Sequence, residues 1–121
     1  MSNVHLTVNG FVNRATFRKE ESVKRVIRRI LDHYNFFNFM PPANTYGKAG
    51  ISDILTVGNT RLVAIEAKYG SNKPTANQLD FGNDIERSGA MFAVINEKNI
   101  AAEMIRVITY LETGVDTHEP Q

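Results

Sequence analysis

The sequence predicts a single α/β domain in which a small mixed sheet is flanked by helices. Amphipathic helical stripes, short apolar runs bounded by turn residues, and their order (helix, two or three strands, helix, strand, helix) predict it. At 121 residues the chain supports one core and not two, and 42% hydrophobic with 22% charged residues excludes a disordered or fibrous chain. The absence of cysteine excludes disulfides and thiolate metal sites, so packing alone must hold the fold, which suits a reducing interior. No run reaches membrane-span length and the N-terminus has no apolar signal core, so no membrane partner and a cytoplasmic location are expected.

Residues 1–17 read as an irregular arm or short strand turning at Asn9-Gly10, with residues 1–15 as the N-terminal arm of a single domain spanning residues 1–121. A helix starts between Thr16 and Glu20, with Thr16 as its cap, and carries Val23, Val26, Ile27, Ile30, Leu31 and Tyr34 at helical spacing. Tyr34–Met40 runs from the helix end into a short extended piece, and Pro41-Pro42 stops any helix. Ile51–Val57 and Arg61–Lys68 read as two strands around Gly58-Asn59-Thr60, with both faces covered. Pro74 to Ser88 reads as a helix ending at Gly89, and Ala90–Ile95 as a buried strand. Asn99 caps a last helix with the stripe Ile100, Met104, Ile105, Ile108 and Leu111; residues 115–121 form a loose tail.

The chemistry concentrates in Gly50-Ile51-Ser52-Asp53 and in Ile65-Glu66-Ala67-Lys68. Charges inside the apolar run Leu62–Ile65 are costly unless paired, exposed or bound to an ion. Strand alternation points Glu66 and Lys68 the same way. A two-residue Asn59-Thr60 loop would pair Gly58 with Arg61 and set Asp53 opposite Glu66; a three-residue loop would put them on opposite faces. Opposed carboxylates repel, which invites a hard divalent ion; one carboxylate at the solvent edge and the other neutralised by Lys68 satisfies the same spacing. On a helical wheel Glu20 falls on the apolar side and Glu21 on the basic side, so Glu20 either reaches the site or complements the helix dipole. Gln78 faces inward likewise, as a ligand-facing group or a satisfied buried amide.

Net charge is only +1, which argues against a dedicated polyanion binder, but Arg14, Arg18, Lys19, Lys24, Arg25, Arg28 and Arg29 make the first quarter basic. That patch meets phosphates or is a solvated helix face. Tyr46-Gly47-Lys48-Ala49-Gly50 lacks the spacing of a phosphate-binding loop and reads as a turn. His5, His33 and His118 are not spaced as a metal set, and Phe36, Phe37 and Phe39 read as core residues.

Asp53, then Glu66-x-Lys68, with Glu20 upstream and Gln78 downstream, resembles the PD-(D/E)XK nuclease superfamily. The segments Gly47–Asp53, Ile65–Lys68, Pro74–Gln78 and Ser88-Gly89-Ala90 resemble in particular the stand-alone VRR-NUC domains of phages and bacteria. The likeness runs from about Glu20 to Ile95. Ser52 stands where the superfamily name expects Pro, a positional rather than chemical departure.

The resemblance implies a restriction-endonuclease-like fold and a Mg²⁺- or Mn²⁺-dependent endodeoxyribonuclease in a bacterium or phage-infected cell. Asp53, Glu66 and the backbone carbonyl of Ala67 would bind the ion, with Glu20 acting directly or through its water shell. Lys68 would orient the attacking water and stabilise charge on the phosphate; Gln78 would hold the phosphate or Lys68. Arg25, Arg28 and Arg29, and with them Lys48 and Lys73 in loops beside the site, would contact DNA. Stand-alone members suggest a homodimer on branched DNA such as four-way (Holliday) junctions. The alternatives are a nuclease for linear or single-stranded DNA, and a nuclease-fold module that binds without useful cleavage.

Overall fold

The computed structural model describes residues 3–42 and 47–117. The elements run α1 (Val4–Arg14), α2 (Glu20–His33), β1 (Phe37–Phe39), β2 (Ile54–Gly58), β3 (Arg61–Ala67), α3 (Ala76–Arg87), β4 (Met91–Ile95) and α4 (Ile100–Thr113). The four strands form one sheet in the order β1-β2-β3-β4. β1, β2 and β3 are antiparallel neighbours, and β4 joins β3 in parallel through the α3 crossover. The sheet is therefore mixed, as the sequence predicts.

The two faces of the sheet differ. Ile54, Thr56, Val63, Ile65, Ala67, Met91, Ala93 and Ile95 share one face through the strand register and are all buried. Against them pack α2 with Val23, Val26, Ile27, Ile30 and Leu31, and α4 with Ile100, Met104, Val107, Ile108 and Leu111. The opposite face carries Phe37, Phe39, Leu55, Val57, Ala64, Glu66 and Phe92. α3 covers its β3–β4 side, where Gly82 lets the helix lie directly on the Phe92 ring. Among the described residues nothing covers the β1–β2 side of this face: Phe37 is 66% exposed, Phe39 40% and Val57 40%. The expectation of core roles for Phe37 and Phe39, and of a sheet covered on both sides, is thereby corrected. Asn38, between the two rings, turns to α2 instead, while Phe36 packs against the core.

The expected N-terminal arm is a helix. Asn3 caps α1 through Leu6 N–H, and Val8 is fully buried in a helix that packs on α2 and α4. Asn9-Gly10 gives no turn there because burial of the Val4, Val8, Phe11 and Val12 side outweighs weak local propensity. The start of α2 also differs. Ser22 Oγ accepts from the amides of Arg18 and Lys19, so the helix begins at Glu20, and Thr16 is not its cap.

The Asn59-Thr60 turn has two residues, both with positive φ (52° and 67°), the geometry of a type I′ hairpin. Gly58 pairs with Arg61, and Asn59 and Arg61 both donate to Leu111 C=O, docking the hairpin tip on the end of α4. Asn99 occupies the N-cap of α4, yet its side chain binds Asn96 N–H and Val94 C=O instead of capping the helix. Among the described residues no helix is long and apolar enough to cross a membrane.

Candidate active site

Asp53 lies one residue before β2, where its backbone has left the ladder but its side chain still fills the next rung. One step beyond the Ile54–Ile65 pair places it opposite Glu66, as the even-length turn requires. Its Oδ2 accepts a hydrogen bond from Ala67 N–H at 2.8 Å. Within an extended strand a residue's N–H and C=O point to the same edge, so the Ala67 carbonyl faces the Asp53 side as well.

Glu66 is 1% exposed, and neither carboxylate oxygen accepts a hydrogen bond among the described residues. Its compensation is Lys68, also buried, whose Nζ stands 3.3 Å from Oε2. Burial first, and the charge of Asp53 second, push the Glu66 carboxyl up to about 8, against the opposing pull of Lys68. A buried carboxyl so placed keeps its proton or takes a cation.

Gly50 seats the loop that carries Asp53. Its φ is +78°, and a Cβ there would collide with the backbone of Asn77 and Gln78, so only glycine lets this loop press on the first turn of α3. The contact brings the loop against the Gln78 backbone, and Gln78 and Asp53 line one groove of about 440 Å³ with Lys24, Met40 and Ser52. Gln78 Oε1 accepts from Thr75 N–H at 2.8 Å while Thr75 Oγ1 caps Gln78 N–H, a reciprocal capping box. Gln78 therefore offers the groove its amide NH₂.

Glu20 sits half-buried at the start of α2 and joins the cluster through Lys24, whose Nζ is 3.4 Å from Glu20 Oε2, 3.3 Å from Glu21 Oε1 and 3.6 Å from Asp53 Oδ1. Burial opposes the Lys24 charge, but Asp53 and the two glutamates outweigh it and raise its pKa. Lys24 is the site residue that sequence reasoning missed. The i,i+4 spacing of Glu20 and Lys24 was a readable signal for their pairing; the contact with Asp53 belongs to tertiary structure.

A second groove of about 400 Å³ adjoins the first, sharing Lys24 and Met40 and lined by Arg25, Arg28 and Arg29. Arg25 and Arg29 are exposed. Arg28 is engaged with β1, its Nε donating to Asn38 Oδ1 at 2.8 Å. Lys48 is exposed 3.9 Å from Asp84, and Lys73 is exposed in the loop before α3. His5 lies on α1 and His33 packs edge-on against Phe11; His118, Tyr46 and residues 118–121 of the expected tail lie outside the described residues.

Among the described residues no three His, Asp or Glu side chains converge closely enough to hold an ion unaided. Asp53, Glu66 and the Ala67 carbonyl form an all-oxygen set that suits a hard divalent ion keeping several waters, as Mg²⁺ does. Among the described residues the Glu66 oxygens accept no hydrogen bond and face only the Lys68 ammonium, so such an ion would complete their compensation.

Among solved structures the chain matches a VRR_NUC domain protein with a TM-score of 0.62 and 19% sequence identity, over 78% of this chain and 91% of that one. The chain has the VRR-NUC fold. No family model and no curated protein matches it. In VRR-NUC terms the domain is a restriction-endonuclease-like α/β core whose β2–β3 hairpin carries Asp53 and the Glu66-Ala67-Lys68 triplet. With α3 supplying Gln78 and α2 supplying Glu20 and Lys24, three elements meet at the open end of that hairpin.

Proposed function

We propose that this domain is a divalent-metal-dependent DNA endonuclease that hydrolyses phosphodiester bonds. The observation that carries the reading is Glu66, a fully buried carboxyl whose compensation among the described residues is the Lys68 ammonium alone, set across from Asp53 in a nuclease-type fold. A structural ion pair alone would leave a large desolvation cost with little return.

Asp53, Glu66 and the Ala67 carbonyl would hold Mg²⁺ or Mn²⁺, with Glu20 supporting the water shell. The ion would supply an acidified water and offset charge at the scissile phosphate. Lys68 orients the attacking water and stabilises the charge that builds on phosphate. The Gln78 amide steadies the phosphate. Arg25 and Arg29, with Lys48 and Lys73, hold the flanking backbone without reading sequence, and Arg28 braces the groove wall.

The substrate is branched DNA, the four-way junction foremost, cut by a homodimer whose two sites address two strands. The uncovered apolar strip of Phe37, Phe39 and Val57 supports self-association, since contiguous exposed apolar surface marks contact sites. One observation favours a second reading, a binding module without useful cleavage: Asp53 already has both oxygens engaged, by Ala67 N–H and Lys24.

Labelled four-way junction and matched linear duplex, incubated with Mg²⁺, Mn²⁺ or EDTA beside Glu66→Ala, separate these readings. Metal-dependent junction cutting that vanishes in the variant supports the nuclease. Equal cutting of both DNAs removes the junction preference. Folded protein that binds but never cuts favours the module.

A further inference from the structure

Lys24 stands between the carboxylate cluster and the basic groove, with three carboxylates around a single ammonium and its side chain only 17% exposed. Asp53 has spent Oδ2 on Ala67 N–H, so Oδ1 is the oxygen open to an ion, and Oδ1 is the atom that Lys24 approaches. We propose that Lys24 is the built-in counter-cation of the site, competing with the divalent ion for Asp53 and yielding to it. The inference rests on the metal-centre reading above.

Charge and geometry carry it together. An ion bound to Asp53 Oδ1 at about 2.1 Å would lie within a few ångströms of the ammonium, and like charges that close repel strongly in a half-buried site. Lys24 has somewhere to go. Glu20 and Glu21 lie one turn back on its own helix, so leaving Asp53 strands no buried charge. Its side chain lines both grooves, so an ammonium released from Asp53 faces the Arg25–Arg29 side, where a phosphate backbone would lie. Lys24 is thus a positioning residue: it keeps Asp53 compensated before the ion binds and turns to the DNA side afterwards.

The test is calorimetric titration of Mn²⁺ into protein without DNA, for wild type, Lys24→Met, Lys24→Arg and Glu66→Ala. Removing the competing charge is expected to tighten Mn²⁺ binding by roughly five- to tenfold in Lys24→Met, while Lys24→Arg stays within about twofold of wild type because it keeps the charge. Unchanged or weaker binding in Lys24→Met, with Glu66→Ala abolishing it, overturns the counter-cation role and leaves the metal centre standing. Wild type that binds Mn²⁺ no better than Glu66→Ala overturns both. Should Lys24→Met not fold, the wild-type Lys24 ammonium signal by NMR decides: a shift on adding Mg²⁺ supports displacement, and no shift contradicts it.

Discussion

Asp53 and Ala67 are joined across the mouth of the β2–β3 hairpin by a 2.8 Å hydrogen bond from the Ala67 amide to Asp53 Oδ2. That bond continues the sheet by a side chain where the backbone ladder stops. Together with the Gly50-seated loop before it, that bond holds Asp53 opposite Glu66, so two carboxylates face each other at the end of a rigid hairpin. Sites built on such elements hold their geometry better than sites on loops.

The facing carboxylates are expected to make stability and the proposed metal binding depend on pH in opposite senses. Glu66 is pushed up to about 8 in the folded protein, mainly by burial, whereas an unfolded glutamate titrates near 4.5. Between those values the folded state holds a proton that the unfolded chain has lost, so stability in EDTA falls as pH rises towards 8. Metal binding requires the deprotonated form, so Mn²⁺ affinity rises over the same interval. Glu66→Gln removes this titration: in EDTA its melting temperature is expected to exceed wild type at pH 8 and to converge with it below about pH 4.5. Thermal denaturation across pH with EDTA or Mn²⁺ measures both trends.

Gly50 carries both a positive φ and a backbone contact that excludes a Cβ. Gly50→Ala is expected to destabilise the domain by roughly 2–4 kcal/mol, the scale of backbone strain plus a clash that only movement relieves. Because the same contact joins the Asp53 loop to the Gln78 turn of α3, cleavage should fall even at temperatures where the variant is folded. Chemical denaturation and single-turnover cleavage on one preparation check the two effects.

The three arginines of α2 are expected to separate. Arg25→Ala and Arg29→Ala should each weaken DNA binding and lower its salt dependence by about one unit of slope, with little change in melting temperature. Arg28→Ala should lower the melting temperature instead, because its guanidinium ties α2 to Asn38 on the edge strand. Binding isotherms at several salt concentrations, beside thermal scans, distinguish phosphate contact from structural tie.

How much of this was legible in the sequence follows from physical range. The stripes of α2 and α4 and the β2–β3 hairpin were readable because periodicity and Asn-Thr turn chemistry act over a few residues. The opposition of Asp53 and Glu66 followed from that register once a two-residue turn was assumed. α1 was not readable: Asn9, Gly10 and its β-branched residues favour other structure locally, and the burial of Val8 against α2 and α4 decides the matter from a distance. Phe37 and Phe39 were misplaced because aromatic content predicts burial, whereas among the described residues no helix covers the β1–β2 side of their face. Lys24 was counted only among basic residues, since its approach to Asp53 joins elements 29 positions apart.

The exposed Phe37–Phe39–Val57 strip bears on assembly. Phe37→Asp combined with Phe39→Asp is expected to convert a dimer to a monomer and to lose coordinated two-strand cutting while retaining nicking. Light scattering over a tenfold concentration range reads the first effect. A wild type that is monomeric throughout would contradict the assembly proposal.

The most direct test of the site is single-turnover cleavage by wild type, Glu66→Gln and Asp53→Asn in Mn²⁺, with DNA affinity measured for the same proteins in EDTA. Both variants keep side-chain shape, and the amide oxygen introduced by Asp53→Asn can still accept from Ala67 N–H, so folding and DNA affinity should stay within a few-fold of wild type. Cleavage should drop by at least about a hundredfold in each, the scale expected when a group that stabilises the transition state is lost. Cleavage that persists in both variants would contradict the assignment of Asp53 and Glu66 as the metal-holding pair.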